Sequence, residues 1–474
     1  MSASKFSPCG THSRFFQEAD NKEIDTSFHG YLGNKLQIEE KAVFSVLQFG
    51  AIVPPLAPWK GIQRFVPGHH YHGTEAVGHL DFLSEKSDSI LKGRERVKDF
   101  EDKLDAALAR LIGSQKAPVL LFSGGVDSGI LASRLASLGY SDALLLNYSF
   151  GENDQESLLA EAMAQHLGLK FERIIATDNT CACLSQPGKI YPQPFGDHST
   201  VPTSDLASAI VERLSGEKRL IIDGTGADGA FGMNSKTVIW NRLMNIPVMV
   251  RKVVASFYHN YSWHRSGKLE YYTRIFQRSV DMPMLSAVLA QNPLAGKLYE
   301  NFSSSEVYSL LERWINSFEG LSLSQKVVIA DLMLTCANIF AQKGLPILED
   351  AGHNVIYPFL DTEMVSAAVS WNPYLDPTQP KALLKKSLEK HIPTEMIYRP
   401  KSGFVDPKPP VFFKTDFIDY LYASTESSSP ISFILKKKEI YKACDLLNKK
   451  TLLPPQVLNC VWAIVFTNRW YETA

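Results

Sequence analysis

Residues 120–129 read Leu120-Leu121-Phe122-Ser123-Gly124-Gly125-Val126-Asp127-Ser128-Gly129. The apolar run from Ala117 to Phe122 stops at Ser-Gly-Gly, and beyond it Leu131, Leu135 and Leu138 recur at helical spacing. That pattern predicts a strand, a tight loop and a helix start. Adjacent glycines present no Cβ and let the backbone approach a ligand closely, and free N–H groups at a helix N-terminus favour an anion. The hydroxyls of Ser123 and Ser128 add donors, and Asp127 is a hard oxygen ligand suited to phosphate-bound Mg²⁺. The stretch is suited to holding phosphate.

The flanking chain repeats the same alternation. Residues 96–113 carry Val97, Phe100, Leu104, Leu108 and Leu111 on one helical face. After the loop, Ala143–Phe150, Lys170–Thr177 and Arg219–Asp223 read as buried strands, and Glu156–Gly168 and Ser204–Lys218 as the helices between them. Strands alternating with helices predict an α/β fold with a doubly wound parallel sheet. In such sheets ligands lie beyond the carboxyl ends of the strands, where Ser123-Gly-Gly, Ser149-Phe150-Gly151 and Gly224-Thr225-Gly226 all fall. From about 232 onward the pattern is helical and irregular, which predicts a helical part added to the sheet.

The loop is not the Walker type, because no lysine follows Gly125. Ser-Gly-Gly-x-Asp-Ser instead resembles the pyrophosphate loop of the ATP pyrophosphatases, which cleave ATP between its α and β phosphates. A second motif, Gly224-Thr225-Gly226-Ala227-Asp228-Gly229, matches the dinucleotide pattern Gly-x-Gly-x-x-Gly. A dinucleotide fold wants an acid about twenty residues later, and no acidic residue occurs between Phe231 and Leu269. Asp223-Gly-Thr-Gly-Ala-Asp228-Gly-Ala-Phe-Gly232 resembles the "GeGaDElFgG" motif of asparagine synthetases.

That resemblance extends over residues 42–474. Lys60-Gly61-Ile62 to Pro67-Gly68-His69 resembles the segment that joins the family's glutaminase to its synthetase domain. Phe195–Thr203, Tyr357-Pro358-Phe359-Leu360-Asp361, Lys381 to Lys385, Arg399-Pro400-Lys401-Ser402-Gly403-Phe404 and the tryptophans of the last helix match its later motifs. The resemblance implies a PP-loop fold, like that of the adenine nucleotide alpha hydrolases. It implies ATP and Mg²⁺ as cofactors, with Leu121, Ser123, Gly124, Gly125, Asp127, Ser128, Phe150, Gly224 and Gly226 at the nucleotide. Asp127 and Asp228 would each give a carboxylate to Mg²⁺, and Lys401 would stabilise the leaving pyrophosphate.

The departures concern the acceptor. Thr225 and Gly229 replace two acids of the family motif, and Asn354 and Ile356 replace the glutamate and arginine that face the aspartyl substrate. Thr225, Gly229, His353 and Asn354 are the candidate substrate-pocket residues, and His353 or Glu349 is the candidate base. Removing an acid and a guanidinium removes the charge pattern that selects an amino-dicarboxylate. The expected activity is a ligase forming C–N bonds with release of AMP and pyrophosphate. It would adenylate a small-molecule or peptide carboxylate and join it to a nitrogen nucleophile, the substrate's own amine, free ammonia or ammonia from a partner protein, in a tailoring reaction that makes an amide, lactam or macrolactam. The β-lactam synthetases and lasso-peptide cyclases share this fold. Ammonia-dependent asparagine synthesis and a non-catalytic ATP- or partner-binding homologue are the alternatives.

Composition bounds the rest. The 474 residues are 45% hydrophobic and 21% charged with a net charge of −1, so gross charge points to neither nucleic acid nor membrane. Apolar runs are interrupted by charges or prolines before they reach membrane-span length, and the N-terminus lacks an apolar signal core, so a cytoplasmic enzyme is expected. The expected division is a short, flexible 1–41 carrying Cys9 in a mobile tail; a remnant linker 42–95 of a lost glutaminase; a nucleotide-binding core 96–232; and a helical part 233–474. The basic and aromatic stretch 231–269 reads as a solvated helical face, with nucleic-acid or anionic-peptide binding as the weaker readings. His69, His70 and His72 read as packed or surface histidines, and Cys181-Ala-Cys183 as reduced thiols.

Overall fold

The computed structural model describes residues 9–18, 22–24, 37–72, 74–79, 94–176, 182–257, 263–264, 268–292, 297–300, 304–376, 378–399 and 410–474. In chain order the strands are β1 Phe15–Gln17, β2 Lys22–Ile24, β3 Ile62–Arg64, β4 His69–His72, β5 Glu75–His79, β6 Val119–Leu121, β7 Leu144–Ser149, β8 Lys170–Ile175, β9 Leu220–Ile222 and β10 Asn354–Ile356. The central sheet has the order β10-β9-β6-β7-β8, and all its pairings are parallel. The chain moves outward from β6 through β7 to β8, then returns to the other side of β6 for β9 and β10. Right-handed crossovers then cover both faces with helices, which is the doubly wound arrangement expected. The direction reverses between β6 and β9, and there the loops after both strands open side by side.

Helices α1 Glu40–Phe49, α2 Arg94–Ile112, α3 Val126–Ser137 and α4 Gln155–Leu167 follow the sequence periodicity closely. In α2 the residues Val97, Phe100, Leu104 and Leu108 are buried, as their spacing requires. Asp154 caps α4 through its Glu156 N–H, and Gly168 ends it in the left-handed conformation. On the other face, Thr200–Arg213 packs against Leu345–Asp350. Arg110 of α2 makes two 2.8 Å hydrogen bonds to Asp361, whose carboxylate also caps Thr362–Trp371. The aspartate of Tyr-Pro-Phe-Leu-Asp is therefore a structural tie between two helices.

The expectation of a loose N-terminus does not hold for its described part. β1 pairs with β2 and with β3 in an antiparallel sheet, and Cys9 is fully buried in the main core. Burial pushes the Cys9 thiol up to about 12, so it is neither a tail residue nor a thiolate nucleophile. Thr11 O accepts from Gln342, Ser13 Oγ from Gln193, and His12 pairs with Glu349 at 3.1 Å. These contacts span more than 140 residues of sequence, which is why the local pattern gave no sign of them.

The membrane reading is also corrected on one point. The helical stretch Leu323–Lys343 is long and apolar enough to span a membrane, but 72% of its apolar 18-residue segment is buried inside the fold. It is the central core helix, and its middle, Asp331–Phe340, is π-helical. Trp240 and Trp263 are likewise buried: Arg278 lies over the Trp240 ring, and the Trp263 indole donates to Glu439. Tyr258 and Tyr261 lie outside the described residues.

Candidate active site

The loop after β6 is held by its own side chains. Ser123 N–H donates to Ser128 Oγ at 3.2 Å, the two hydroxyls are 3.2 Å apart, and Gly125 N–H donates to Ser123 Oγ. Gly124 has φ +68, and a Cβ there would fall 2.7 Å from the Ala160 Cα on α4. Only glycine satisfies both the left-handed backbone and that contact; it lets the loop lie on α4, a packing role the sequence reading had assigned to ligand approach. Arg399 fastens the loop from outside, donating to Gly124 O at 3.1 Å and pairing with Glu156. Leu121 ends β6 beneath the loop, and Phe150 projects from the end of β7, 44% exposed, with its ring edge-on to Tyr148.

The loop after β9 runs parallel to it. Asp223 is half-buried, and Thr225 donates both its N–H and its hydroxyl to the same carboxylate oxygen at 2.8 Å. Burial pushes the Asp223 carboxyl up, and the Thr225 bonds oppose that. Gly226 takes φ +110 and starts the helix Ala227–Gly232, where a Cβ would press on Leu360. Gly224 lies over the start of α3, where a Cβ would meet Leu131 and the Asp127 backbone at ordinary distances. Asp228 thus stands in the first turn of one helix and Asp127 in the first turn of another.

Their carboxylates meet at one cation. Lys381 Nζ lies 2.6 Å from Asp127 Oδ2 and 2.5 Å from Asp228 Oδ1. Burial pulls the lysine down, but the two carboxylates outweigh it and hold its pKa above the usual value. Lys381 is in the left-handed region, φ +60, and its N–H donates to Phe231 O at 3.0 Å. A non-glycine residue accepts that conformation when surrounding contacts impose it, and such positions cluster at functional sites. The sequence reading had quoted Lys381 inside a motif without giving it a role; its signal was its place in that motif, 254 residues from Asp127.

A divalent cation fits this donor set. Two carboxylates from separate helix starts already converge on a single positive charge, and hard oxygens are the ligands Mg²⁺ takes. Among the described residues there is no group of three or more His, Cys, Asp or Glu able to hold a metal by themselves. Two carboxylates with the remaining positions filled by phosphate oxygens and water is the usual way Mg²⁺ is bound beside a nucleotide.

Other expected residues lie elsewhere. Asn354 pairs with Leu220 at the start of β9, so Asn354 and His353 stand at the amino ends of the parallel strands, opposite the loops. His353 Nδ1 accepts from Arg219 N–H at 3.3 Å, and burial with the Arg219 charge holds its pKa below the usual value. Placement in a substrate pocket or as a base beside the nucleotide is therefore corrected for both: the motif was matched, but the chain enters the sheet at Asn354, at the end away from the loops. Glu349 faces His12 of the N-terminal segment. Of the candidate pocket residues, Thr225 and Gly229 remain at the loops. Lys401 lies outside the described residues, as do Ser402 to Phe404; Arg399, two positions earlier, is the described residue of that motif on the phosphate loop.

Beside Gly229 the structure brings a group the sequence reading missed. The buried Asp331 carboxylate, from the π-helical stretch, fills the space where a side chain at 229 would begin. The buried Lys343 pairs with the half-buried Asp197 at 3.2 Å and bonds Ser199.

Residues 99–449 match the family model described as asparagine synthase. A search of curated proteins found no match to the chain.

Proposed function

Because the chain belongs to the asparagine synthase family, whose members are ATP-dependent ligases that form amide bonds, we propose that it adenylates a substrate carboxylate and joins it to an amine. The observation that supports this best is the convergence of Asp127 and Asp228 on Lys381 at the switch point of the sheet. In the first step a carboxylate oxygen attacks the α-phosphorus of ATP, the bond to the bridging β-oxygen breaks, and pyrophosphate leaves. In the second a nitrogen attacks the acyl carbon, AMP leaves, and the nitrogen loses a proton. Asp127 and Asp228 would hold Mg²⁺, which neutralises the pyrophosphate charge when bound. Lys381 adds a fixed positive charge at the same place, where charge on the leaving group develops. Lys401 is proposed as a second such cation, on its motif. Ser123, Gly125 and Ser128 bond one another at the start of α3, where the helix N-terminus would favour the phosphates.

The reading favours a tailoring reaction over asparagine synthesis, because Thr225 spends its hydroxyl on Asp223 and residue 229 has no side chain. Neither position presents the free acid of the family motif. The nitrogen nucleophile would then be an amine of the substrate or ammonia. ATP–pyrophosphate exchange with a panel of small and peptide carboxylates tests this. Exchange with at least one carboxylate, abolished in Asp127→Ala, is the expected result; no exchange with any, in a protein that binds ATP, would sink it.

A further inference from the structure

Residue 229 has lost its acid, yet the place is not empty. An ideal Cβ at Gly229 would lie 2.9 Å from Asp331 Oδ2, 2.9 Å from Leu332 Cδ2 and 3.1 Å from Cys336 Sγ. Asp331 Oδ2 thus occupies the space that the first atoms of a side chain at 229 would take. Asp331 is 6% exposed. Its hydrogen bonds come from Thr335 and, weakly, from Cys336 at 3.7 Å; among the described residues no ion pair reaches it. Lys236 and Asp228 are the nearest charges it feels. Cys336 in turn receives the Gly229 N–H. Both residues of the π-helical stretch therefore brace the turn that carries Asp228.

A buried carboxylate without a cation is costly, and this one lies beside a second carboxylate. Stability alone would replace it with a neutral group of the same shape. π-helical turns recur at functional sites because the wider turn re-aims side chains, and this one begins at Asp331. We propose that Asp331 is a positioning residue that restores, from the central helix, the carboxylate absent at 229, orienting the Asp228 turn and strengthening its hold on a metal–nucleotide. The inference rests on the nucleotide reading above.

The test uses the full chain, Mn²⁺ as the metal, and α,β-methylene-ATP as the nucleotide, with Mn²⁺ bound measured by electron paramagnetic resonance. Asp331→Asn keeps the shape and removes the charge; it should melt within a few degrees of the wild type and bind Mn²⁺–nucleotide about 10-fold more weakly, the usual cost of losing a supporting group. Gly229→Asp combined with Asp331→Ala moves the carboxylate back to the loop and should recover most of that loss. Unchanged affinity in Asp331→Asn overturns the proposal, and so does a double variant no better than Asp331→Ala alone, which would mark a packing role. Failure of the wild type to bind Mn²⁺–nucleotide at all would overturn the nucleotide reading itself, a distinct result.

Discussion

Replacing Lys381 with methionine tests whether its ammonium holds together the two carboxylates that would bind the metal. Methionine keeps most of the stem and can occupy the same backbone position, so the change is chiefly the loss of one charge. The Asp127 side chain is 17% exposed and its contact to Nζ is 2.6 Å. Removing one partner of a buried pair costs about 3–5 kcal/mol, because the remaining charge is left uncompensated. The Asp228 side chain is 68% exposed, so its 2.5 Å contact is screened by water and adds at most about 1 kcal/mol. The expected loss is therefore about 4 kcal/mol, set by Asp127. A divalent cation can take over the same two carboxylates, so saturating Mg²⁺ should restore most of the loss in the variant while shifting the wild type little. Urea denaturation with and without Mg²⁺ measures both. A loss under about 1 kcal/mol without Mg²⁺, or equal stabilisation of both proteins by Mg²⁺, would refute the reasoning.

Three further outcomes follow from other contacts. Gly124→Ala must place a methyl against Ala160 at φ +68, and should cost about 2–4 kcal/mol from left-handed strain and overpacking, read by thermal denaturation. Lys343→Met leaves the partly buried Asp197 without its 3.2 Å partner and should cost about 1–3 kcal/mol in the same assay; the double change Lys343→Met with Asp197→Asn should recover part of it. His353 has a folded pKa below its unfolded value of 6.5, because burial and Arg219 oppose its charge. The unfolded chain therefore takes up the proton first, so stability is lost as pH falls below 6.5 toward the folded pKa and is unaffected above. The slope approaches about 1.4 kcal/mol per pH unit for one proton, and His353→Asn should flatten the acid limb by that amount.

The parts of the fold and site that were legible in the sequence are those whose causes are local. Ser123 to Gly129 sits between an apolar run and a helical repeat, so its strand, loop and helix are dictated by neighbours within a few residues. The same holds for Asp228 after β9, and the alternation of strands and helices was enough to predict the parallel sheet. Lys381 was not legible as a site residue, because its role comes from the meeting of three chain segments at the switch point. Asn354 and His353 matched a motif in sequence, but only the parallel register with Leu220 shows which end of the sheet they occupy. Cys9 looked peripheral because the local pattern around it is polar; it belongs to the main core, whose other members lie beyond residue 42. Asp331 carries no local signal at all, and its importance appears only against the bare Gly229.

The central claim is that ATP is cleaved between its α and β phosphates to activate a carboxylate. Positional oxygen exchange measures this directly: ATP labelled with ¹⁸O at the αβ bridge is incubated with Mg²⁺ and a panel of carboxylates, and the label is followed by ³¹P resonance. Migration of ¹⁸O from the bridge to a non-bridging β-phosphate position, dependent on a carboxylate and lost in Asp127→Ala, is what the geometry of Asp127, Asp228 and Lys381 predicts. Cleavage to ADP and phosphate with the label fixed in the bridge would contradict it.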